Sequence, residues 1–281
     1  MDNDSSKDPG RKQRLVETRF RQRVGDWDDM YDRTDTIGLI YQHRLRQAVR
    51  WIEALRLQRD SSVLEIGCGA GRTTAAIAAH GFRMHATDAT PEMIERAREN
   101  LREARATHVS LEVQDAHALT YRDGTFEVVI ALGVIPWLHS PEIALREMAR
   151  VLVAGGYLIA SIDNRQRLPH LLDPRRNSRL AAVREALKPL LRPAFRNGPA
   201  RSNVGPTMHT LREFDSLVSS AGLVKERSAA FGFGPFTMMG RLVFADPLSR
   251  KMHTSLQRWA DGPFPALRRV ANQYLVLARK P

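Results

Sequence analysis

The chain has 281 residues, of which 43% are hydrophobic and 26% charged, an ordinary composition for a globular protein with a substantial core. Its single cysteine, Cys68, excludes internal disulfides and any zinc site built from several cysteines. The sequence has no uninterrupted apolar run of about 18 residues, and its polar start lacks a signal-peptide core, so we expect no membrane-spanning segment and a cytoplasmic location.

The net charge of +12 is unevenly distributed along the sequence. Residues 61–163 carry 9 basic and 13 acidic side chains, whereas residues 164–281 carry 21 basic and 7 acidic ones. A basic surface of this kind attracts anionic partners through its summed field. The same excess is also expected of an arginine-rich surface that mainly confers solubility, and the sequence leaves both interpretations open.

The first 60 residues predict a polar start followed by helices. We expect residues 1–10 to be disordered and residues 11–60 to form N-terminal helices, over residues 12–31 and 38–57. The second helix carries apolar side chains at helical spacing, including Ile40 and Ile52.

Residues 61–163 alternate between strand and helix patterns. Short apolar runs predict strands, and amphipathic stretches between them predict helices. The strands are expected near 62–67, 83–88, 109–114, 126–132 and 156–162, and the helices near 72–80, 91–105 and 141–151. Alternation at this pitch indicates an α/β fold with a parallel, doubly wound sheet.

A glycine-rich turn follows the first predicted strand. Gly67, Gly69 and Gly71 let the backbone bend sharply and approach a ligand, and the next helix points unpaired N–H groups over the turn. Asp88 ends the second strand, 21 residues after Gly67, where a carboxylate can accept hydrogen bonds from both hydroxyls of a ribose. These residues therefore predict a site for an adenosyl cofactor.

The spacing of the glycines favours one kind of adenosyl cofactor. Dinucleotide-binding turns follow G-x-G-x-x-G, whereas here the third glycine comes two positions after the second and Glu65 precedes the turn. An acidic side chain there repels a pyrophosphate and suits the α-amino group of a methionine moiety. The string E-x-G-x-G-x-G resembles the first motif of class I S-adenosylmethionine-dependent methyltransferases.

The resemblance extends over residues 60–165. Asp115-Ala116 follows the third strand, where the family reads the adenine amino group, and residues 151–158 resemble the turn before strand five, with Ala154 in place of the usual proline. The resemblance implies a Rossmann-like, doubly wound seven-stranded sheet whose last strand, 273–279, is antiparallel, with residues 61–163 as the cofactor-binding core. The residues it places at the cofactor are Glu65, Gly67, Cys68, Gly69, Gly71, Thr73, Asp88, Ala89, Met93, Asp115, Ala116, Leu132 and Trp137.

The N-terminal helices carry a further part of the resemblance. Trp27-x-x-x-Tyr31 and Tyr41-x-x-Arg44 resemble the helical entrance that many small-molecule methyltransferases fold over the bound cofactor. We expect Arg44 to pair with the cofactor carboxylate, and Tyr31 and Tyr41 to close over its methionine moiety. Burial in the core is the alternative for the aromatic residues.

Two insertions interrupt the predicted sheet. Residues 164–208, which include six prolines, predict a basic helical cap, and residues 209–281 complete the core with a lid inserted at 231–269. The walls expected for a hydrophobic substrate pocket are Trp137, Phe236, Met238 and Met239. The alternatives for the lid are a packed extension of the core and a basic helix, 248–259, that meets lipid headgroups.

S-adenosylmethionine carries an activated methyl group, so the main task of the protein is to align the acceptor and exclude water. An acceptor that holds its proton tightly also needs a base. His139 and His209 are the candidates, and a structural role is the alternative for each. The expected product is S-adenosylhomocysteine, and no metal is expected to take part.

Several functions are compatible with these residues. The leading one is a methyltransferase that resembles the ubiquinone/menaquinone-biosynthesis and natural-product branch and transfers the methyl group directly, in line, to a small apolar or amphipathic acceptor. The basic C-terminal half suggests RNA or DNA methylation instead. However, residues 133–137 differ from the [D/N]-P-P-[Y/F] clamp of adenine-N6 enzymes. Carbon-5 pyrimidine methyltransferases need a nucleophilic cysteine, and the single cysteine, Cys68, lies in the glycine-rich turn instead. Nucleic acid is therefore disfavoured as a partner.

A cofactor-binding protein without catalysis and an NAD-type protein are the remaining alternatives. As partner we expect the small-molecule acceptor. Contact with a membrane surface and assembly into a homo-oligomer are both compatible with the sequence.

Overall fold

The computed structural model describes residues 9–177, 180, 205–239 and 241–281. The predictions of a disordered start and of a basic helical cap therefore fall largely outside the described residues, at positions 1–8 and 178–204. None of the described helices combines the length and the apolar character that crossing a membrane requires.

The N-terminal region forms three helices, α1 (Pro9–Arg21), α2 (Val24–Asp28) and α3 (Thr36–Ala54), with a 3-10 turn at Asp29–Tyr31. The sequence predicted one continuous helix over 12–31. The helix instead ends at Arg21. In a continuous helix, residues seven positions apart are separated by about 10 Å along the axis, whereas the break lets the rings of Phe20 and Trp27 stack 5.1 Å apart. The side chain of Asp35 caps α3 by accepting a hydrogen bond from the Gly38 N–H.

A seven-stranded mixed sheet forms the centre of the molecule, as predicted. Its strands are β1 (Ser62–Ile66), β2 (Arg83–Asp88), β3 (Val109–Val113), β4 (Phe126–Ala131), β5 (Leu152–Asp163), β6 (Val224–Phe231) and β9 (Gln273–Arg279). They stand in the order β3-β2-β1-β4-β5-β9-β6, and β9 runs antiparallel to both of its neighbours. A separate hairpin pairs β7 (Thr237–Met238) with β8 (Arg241–Leu242).

Helices cover both faces of the sheet. They are α4 (Arg72–Ala78), α5 (Pro91–Glu103), α6 (Pro141–Val151), α7 (Leu168–Leu172), α8 (Leu211–Ser220) and α9 (Asp246–Asp261), with 3-10 turns at Ile135–Trp137 and Pro265–Val270. Pro91 and Pro141 occupy first turns, where the missing N–H has no intrahelical partner to lose. Thr210 and Glu213 form a capping box at the start of α8.

Successive residues of the central strands enter cores on opposite faces. Val63 packs with α3 residues such as Ile52, whereas Leu64 packs in the cluster that contains Phe214 of α8. This division follows from the two-residue side-chain period of a strand. It also explains why β1 and β4 are mostly apolar, because both of their faces are buried.

Strand five begins earlier than the sequence predicted. Leu152 already pairs with Phe126 and Tyr157 pairs with Val128, so that an irregularity containing Gly155, at φ +80°, lies within the strand. The turn predicted before strand five is therefore a bulge inside β5.

Candidate active site

A cleft opens at the carboxyl ends of β1, β2, β4 and β5, the edge at which open α/β sheets bind ligands. Its walls come from the turn after β1, from the ends of the neighbouring strands, and from α1, α2 and α3 of the N-terminal region. The space between these walls measures about 1220 Å³ including the open mouth of the cleft.

The turn after β1 depends on its glycines for different reasons. Gly67, at φ +67°, packs so closely on Val134 that a Cβ there would come within 2.3 Å of the valine Cγ2. Gly69, at φ +53°, has nothing within 4 Å of the position that a Cβ would occupy. The backbone at Gly69 is therefore exposed to the open cleft, where a ligand can approach it closely.

Asp88 lies at the end of β2 and faces the same cleft. Its Oδ2 accepts a hydrogen bond of 3.0 Å from the Gly69 N–H, and its Oδ1 accepts one of 2.9 Å from the Thr90 N–H. Burial raises the pKa of this carboxyl group, and these backbone hydrogen bonds act in the opposite direction. The turn and the acid thus hold each other in place.

Glu65 lies beneath the glycine turn and does not line the cleft. It is only 2% exposed, and its Oε2 accepts a hydrogen bond of 2.5 Å from the hydroxyl of Thr74. Burial raises the pKa of Glu65 to about 7, against the effect of the Thr74 hydrogen bond and with a smaller contribution from the charge of Asp88. Thr73, on the same helix, also acts to lower the pKa of this carboxyl group.

Asp115 stands on the far wall of the cleft, where its neighbour His117 orients it. The Oδ1 atom of Asp115 lies 2.9 Å from the His117 backbone N–H and 2.6 Å from the ring Nδ1, while the ring Nε2 accepts a hydrogen bond from the Ser140 N–H. His139 stacks on the His117 ring at 3.7 Å, and burial lowers the pKa of His139. The carboxylate of Asp115 is thereby held at the cleft with its Oδ1 atom occupied.

Arg44 of α3 is buried and also lines the cleft. Its Nη2 donates to the hydroxyl of Tyr31 at 3.0 Å, and its guanidinium lies 4.4 Å from the ring centre of Tyr41, in a cation–π contact. Gly133, at φ +77°, makes room for it, because a Cβ there would come within 2.6 Å of the Arg44 Nη1. Burial raises the pKa of Tyr41 to about 12, so its phenol stays protonated at neutral pH.

Aromatic side chains close the mouth of the cleft on the side of α1 and α2. Phe20 packs on Trp27 and, edge to face, on Trp137, with both pairs of ring centres 5.1 Å apart. Lys12 fastens α1 across the cleft by donating hydrogen bonds to the Leu138 carbonyl and the Thr207 hydroxyl. This wall covers one side of the cleft.

A buried carboxylate attaches α2 to the cofactor turn. Asp28 is 2% exposed and accepts hydrogen bonds from Arg72 at 2.9 Å, Arg96 at 2.6 Å and Asn100 at 2.8 Å. Asn100 also donates to the carbonyl of Ala70 in the turn. The N-terminal helices and the turn are therefore linked through these polar side chains.

Residues 64–160 match a family described as Methyltransferase domain. The chain is 25% identical over 147 residues to a ubiquinone biosynthesis O-methyltransferase of Coxiella burnetii, covering 52% of this chain and 61% of that protein. It is 34% identical over 102 residues to a phosphatidylethanolamine N-methyltransferase of Cereibacter sphaeroides, covering 36% of this chain and 50% of that one. Residues 64–160 therefore form a methyltransferase domain, of the class I S-adenosylmethionine-dependent kind.

Solved structures share the fold of this methyltransferase domain and of the elements around it. A methyltransferase in complex with the Trm112 activator of Haloferax volcanii has a TM-score of 0.61 at 17% identity, covering 95% of this chain and 97% of that one. Magnesium protoporphyrin IX methyltransferase from Synechocystis, with bound S-adenosylhomocysteine, has a TM-score of 0.57 at 15% identity, covering 91% and 93%. The curated relatives are matched over about a third to three fifths of their own length.

Three buried polar atoms around the cleft have no hydrogen-bond partner among the described residues. They are the Gln13 Oε1, the Trp27 Nε1 and the Arg44 Nε, one acceptor and two donors. Such atoms are destabilising unless a partner satisfies them. Together with the open face of Gly69 and the carboxylates of Asp88 and Asp115, they fit a ligand that carries a carboxylate and polar sugar and base groups, as S-adenosylmethionine does.

Most of the residues that the sequence associated with the cofactor line the cleft of the methyltransferase domain. They are Tyr31, Tyr41, Arg44, Gly67, Cys68, Gly69, Asp88, Ala89, Met93, Asp115, Ala116, Leu132 and Trp137. Gly71 instead starts α4 and packs against Ala97 of α5, while Glu65 and Thr73 lie below the turn.

The residues predicted for catalysis and for the substrate pocket lie elsewhere, apart from Trp137. His139 and His209 do not line the cleft, although each has one buried ring nitrogen without a partner among the described residues. Phe236 is buried against Phe244 in the core, because the lid insertion packs on the molecule there. Met238 and Met239 are 46% and 43% exposed on the β7–β8 hairpin.

The structure also adds residues to the cleft that sequence reasoning missed. Gln13 and Phe20 of α1 and Ser161 and Asp163 of β5 line it, as does Gly133. Gly133 directly follows the predicted fourth strand, and a glycine there is a usable signal that another group approaches the backbone closely. Here that group is the Arg44 guanidinium, for which the missing Cβ of Gly133 leaves room. Nothing in the local sequence marks Gln13.

We expect Arg44→Met to weaken S-adenosylhomocysteine binding by about 10- to 100-fold, because a charged hydrogen bond to a carboxylate contributes roughly 1.5–3 kcal/mol. Isothermal titration calorimetry measures the change. Arg46→Met, at an exposed position on the same helix, is the matched control and should leave the affinity unchanged. Equal affinities in the two variants would show that Arg44 does not bind the cofactor carboxylate.

Proposed function

We propose that the protein transfers a methyl group from S-adenosylmethionine to a small apolar or amphipathic acceptor by direct, in-line displacement. The observation that carries this proposal is the cleft, which is lined by Asp88, by the open face of Gly69 and by the buried Arg44. Arg44 has no carboxylate within 4.0 Å among the described residues, so a bound carboxylate would be its natural counter-charge.

The named activities of the relatives support a small acceptor. They include ubiquinone biosynthesis, phosphatidylethanolamine N-methylation and the methylation of 2-methyl-6-phytyl-1,4-hydroquinone, in which the acceptor is apolar or amphipathic. We carry this chemistry over to the present chain as part of the proposal.

The bound cofactor supplies a methyl group that is activated by its positively charged sulfur. The side chains of this protein then have two tasks, orientation and the exclusion of water. Arg44 and Asp88 grip the two ends of the cofactor, and the wall of Phe20, Trp27 and Trp137 keeps water from the mouth. His139 and His209 remain our proposed bases for an acceptor that must lose a proton.

Ion pairing argues against the alternative of an RNA methyltransferase. Several arginines of the basic C-terminal half are matched with acidic partners, among them Arg165 with Glu213, Arg250 with Asp246 and, at 3.9 Å, Arg268 with Asp261. Paired side chains contribute less to a field that attracts phosphates.

A peripheral contact with lipid is supported by the surface around the β7–β8 hairpin. Leu242, Val243 and Leu248 are exposed there, near the exposed basic residues Arg241 and Lys251. An exposed apolar patch beside cations suits an interface with anionic headgroups. We propose this contact as a way for an amphipathic acceptor to reach the protein.

The proposed function is tested with methyl-labelled S-adenosylmethionine and a host extract that is separated into nucleic-acid, lipid and soluble-metabolite fractions. We expect label in the lipid or soluble small-molecule fraction. Asp88→Ala, which removes the proposed ribose ligand, should abolish the labelling and so excludes a contaminating enzyme. Label in nucleic acid would contradict the proposal, and binding of the cofactor without any labelling would favour a protein that has no catalytic activity.

A further inference from the structure

A second cavity adjoins the cofactor cleft. The two share Tyr41 and Asp163, and the second cavity extends from them between α3, α7 and the start of β9. A group bound in the second cavity would therefore border the cofactor cleft at these two side chains. Unlike the predicted substrate pocket, this cavity is lined by several charged and polar residues.

A half-buried arginine is the main cation of this cavity. Arg167 precedes α7, and its Nε donates a hydrogen bond of 3.0 Å to the Nε2 of His170. His170 is 7% exposed, and burial, followed by the charges of Arg167 and Arg176, lowers the pKa of this histidine to about 4. The imidazole is therefore neutral at physiological pH, so it orients the guanidinium without balancing its charge.

A second cation lies at the rim of the cavity. Arg176 is exposed, and its Nη1 lies 3.4 Å from the same His170 Nε2. The carboxylate of Asp163, at the boundary with the cofactor cleft, contacts the Gln273 side chain at 3.5 Å. Among the described residues no carboxylate lies within 4.0 Å of the Arg167 guanidinium, and the cavity holds two cations against one anion.

Two buried acceptor atoms also belong to residues of this cavity. The Asn272 Oδ1 and the Gln273 Oε1 are shielded from solvent and have no hydrogen-bond partner within the described part of the chain. A buried carbonyl oxygen without a donor is destabilising, and a hydroxyl or amine of a ligand would satisfy it. The residues around this cavity thus include a half-buried cation without a carboxylate within 4.0 Å and two buried acceptor atoms without a donor.

We propose that the second cavity binds the methyl acceptor, and that this acceptor carries an anionic oxygen group, a carboxylate or a phosphate, that pairs with Arg167. Its hydroxyl or amine donors bond to Asn272 and Gln273. The inference rests on the proposed methyl transfer and narrows the amphipathic acceptor to an anionic one. Arg167 is then a residue that determines specificity, and His170 positions it.

The test uses three probes of similar shape: 3-phenylpropionate, 2-phenylethyl phosphate and the neutral 3-phenylpropionamide. Each is titrated by NMR against the full chain, alone and saturated with S-adenosylhomocysteine. We expect at least one anion to bind about tenfold or more tightly than the amide, as a charge-assisted hydrogen bond predicts. Whichever of the two anions binds more tightly shows whether the anionic group of the acceptor is a carboxylate or a phosphate.

Variants locate the site. Arg167→Gln should remove the preference for the anion, Arg167→Lys should restore part of it, and Arg165→Gln, which changes a nearby exposed arginine paired with Glu213, should retain it. Unchanged affinity for S-adenosylhomocysteine shows that the variants are folded. If the cofactor product binds but the anions bind no better than the amide, or Arg167→Gln keeps the preference, the inference is wrong and the proposed function stands. Failure of S-adenosylhomocysteine to bind the parent protein would instead contradict the proposed function.

Discussion

Gly69→Arg should weaken S-adenosylhomocysteine binding by about a hundredfold or more, a loss of at least about 2.7 kcal/mol. The position of its Cβ faces open space in the cleft, so the new side chain extends into the volume that the cofactor needs. The φ of +53° adds strain of roughly 1–2 kcal/mol for a residue other than glycine. Calorimetry measures the affinity, and circular dichroism checks that the variant is folded.

Gly222→Arg is the matched control for this change. Gly222 also has a positive φ, +81°, and nothing within 4 Å of its Cβ position, but it is exposed after α8, away from the cleft. We expect this variant to lose stability through the same backbone strain and to bind S-adenosylhomocysteine as the parent does. If Gly69→Arg bound equally well, the cofactor would lie elsewhere.

Glu65→Gln should stabilise the ligand-free protein at pH 8 by on the order of 3 kcal/mol, which is the energy of a pKa displaced from 4.5 to about 7. A carboxyl group whose pKa is raised on folding is least costly when protonated. The parent therefore carries no penalty from Glu65 below its unfolded pKa of 4.5, loses stability as the pH rises to about 7, and stays at the lower level above that. Chemical unfolding at pH 4.5 and at pH 8 measures the difference.

The variant and the parent should be about equally stable at the lower pH, and the control Glu103→Gln, at an exposed position at the end of α5, keeps Glu65 and should follow the parent at both pH values. Saturation with S-adenosylmethionine adds a second readout. If the ionised Glu65 serves the cofactor amine, the cofactor should stabilise the parent more than the variant at pH 8. If the difference in unfolding free energy between the parent and Glu65→Gln were the same at both pH values, the raised pKa of Glu65 would be contradicted.

Much of the central fold could be predicted because its signals are local. The apolar runs of β1 and β4, the glycines after β1 and the prolines that start α5 and α6 are each readable within a few residues. The order of alternating strands and helices then leaves few ways to connect a parallel sheet. The seven-stranded sheet with an antiparallel β9 is confirmed for this reason.

The insertions could not be predicted in the same way. Phe236 and the exposed pair Met238 and Met239 are similar in hydrophobicity, and the sequence assigned all three to one wall. In the structure the first is buried against Phe244, and the others lie on the outer hairpin. Which apolar side chain is buried depends on what packs against it, and that partner is set by distant parts of the chain.

The glycine turn after β1 can be predicted from the sequence, because Gly67, Gly69 and the acid at the end of β2 are all recognised from their immediate neighbours in the chain. What surrounds that turn depends on tertiary packing. Glu65 became a buried acid under it, Arg44 reached it past Gly133, and Arg167 and Gln273, more than a hundred positions apart, came to share one cavity. Burial and unsatisfied charge arise from contacts between distant segments, and a local pattern of residues does not contain them.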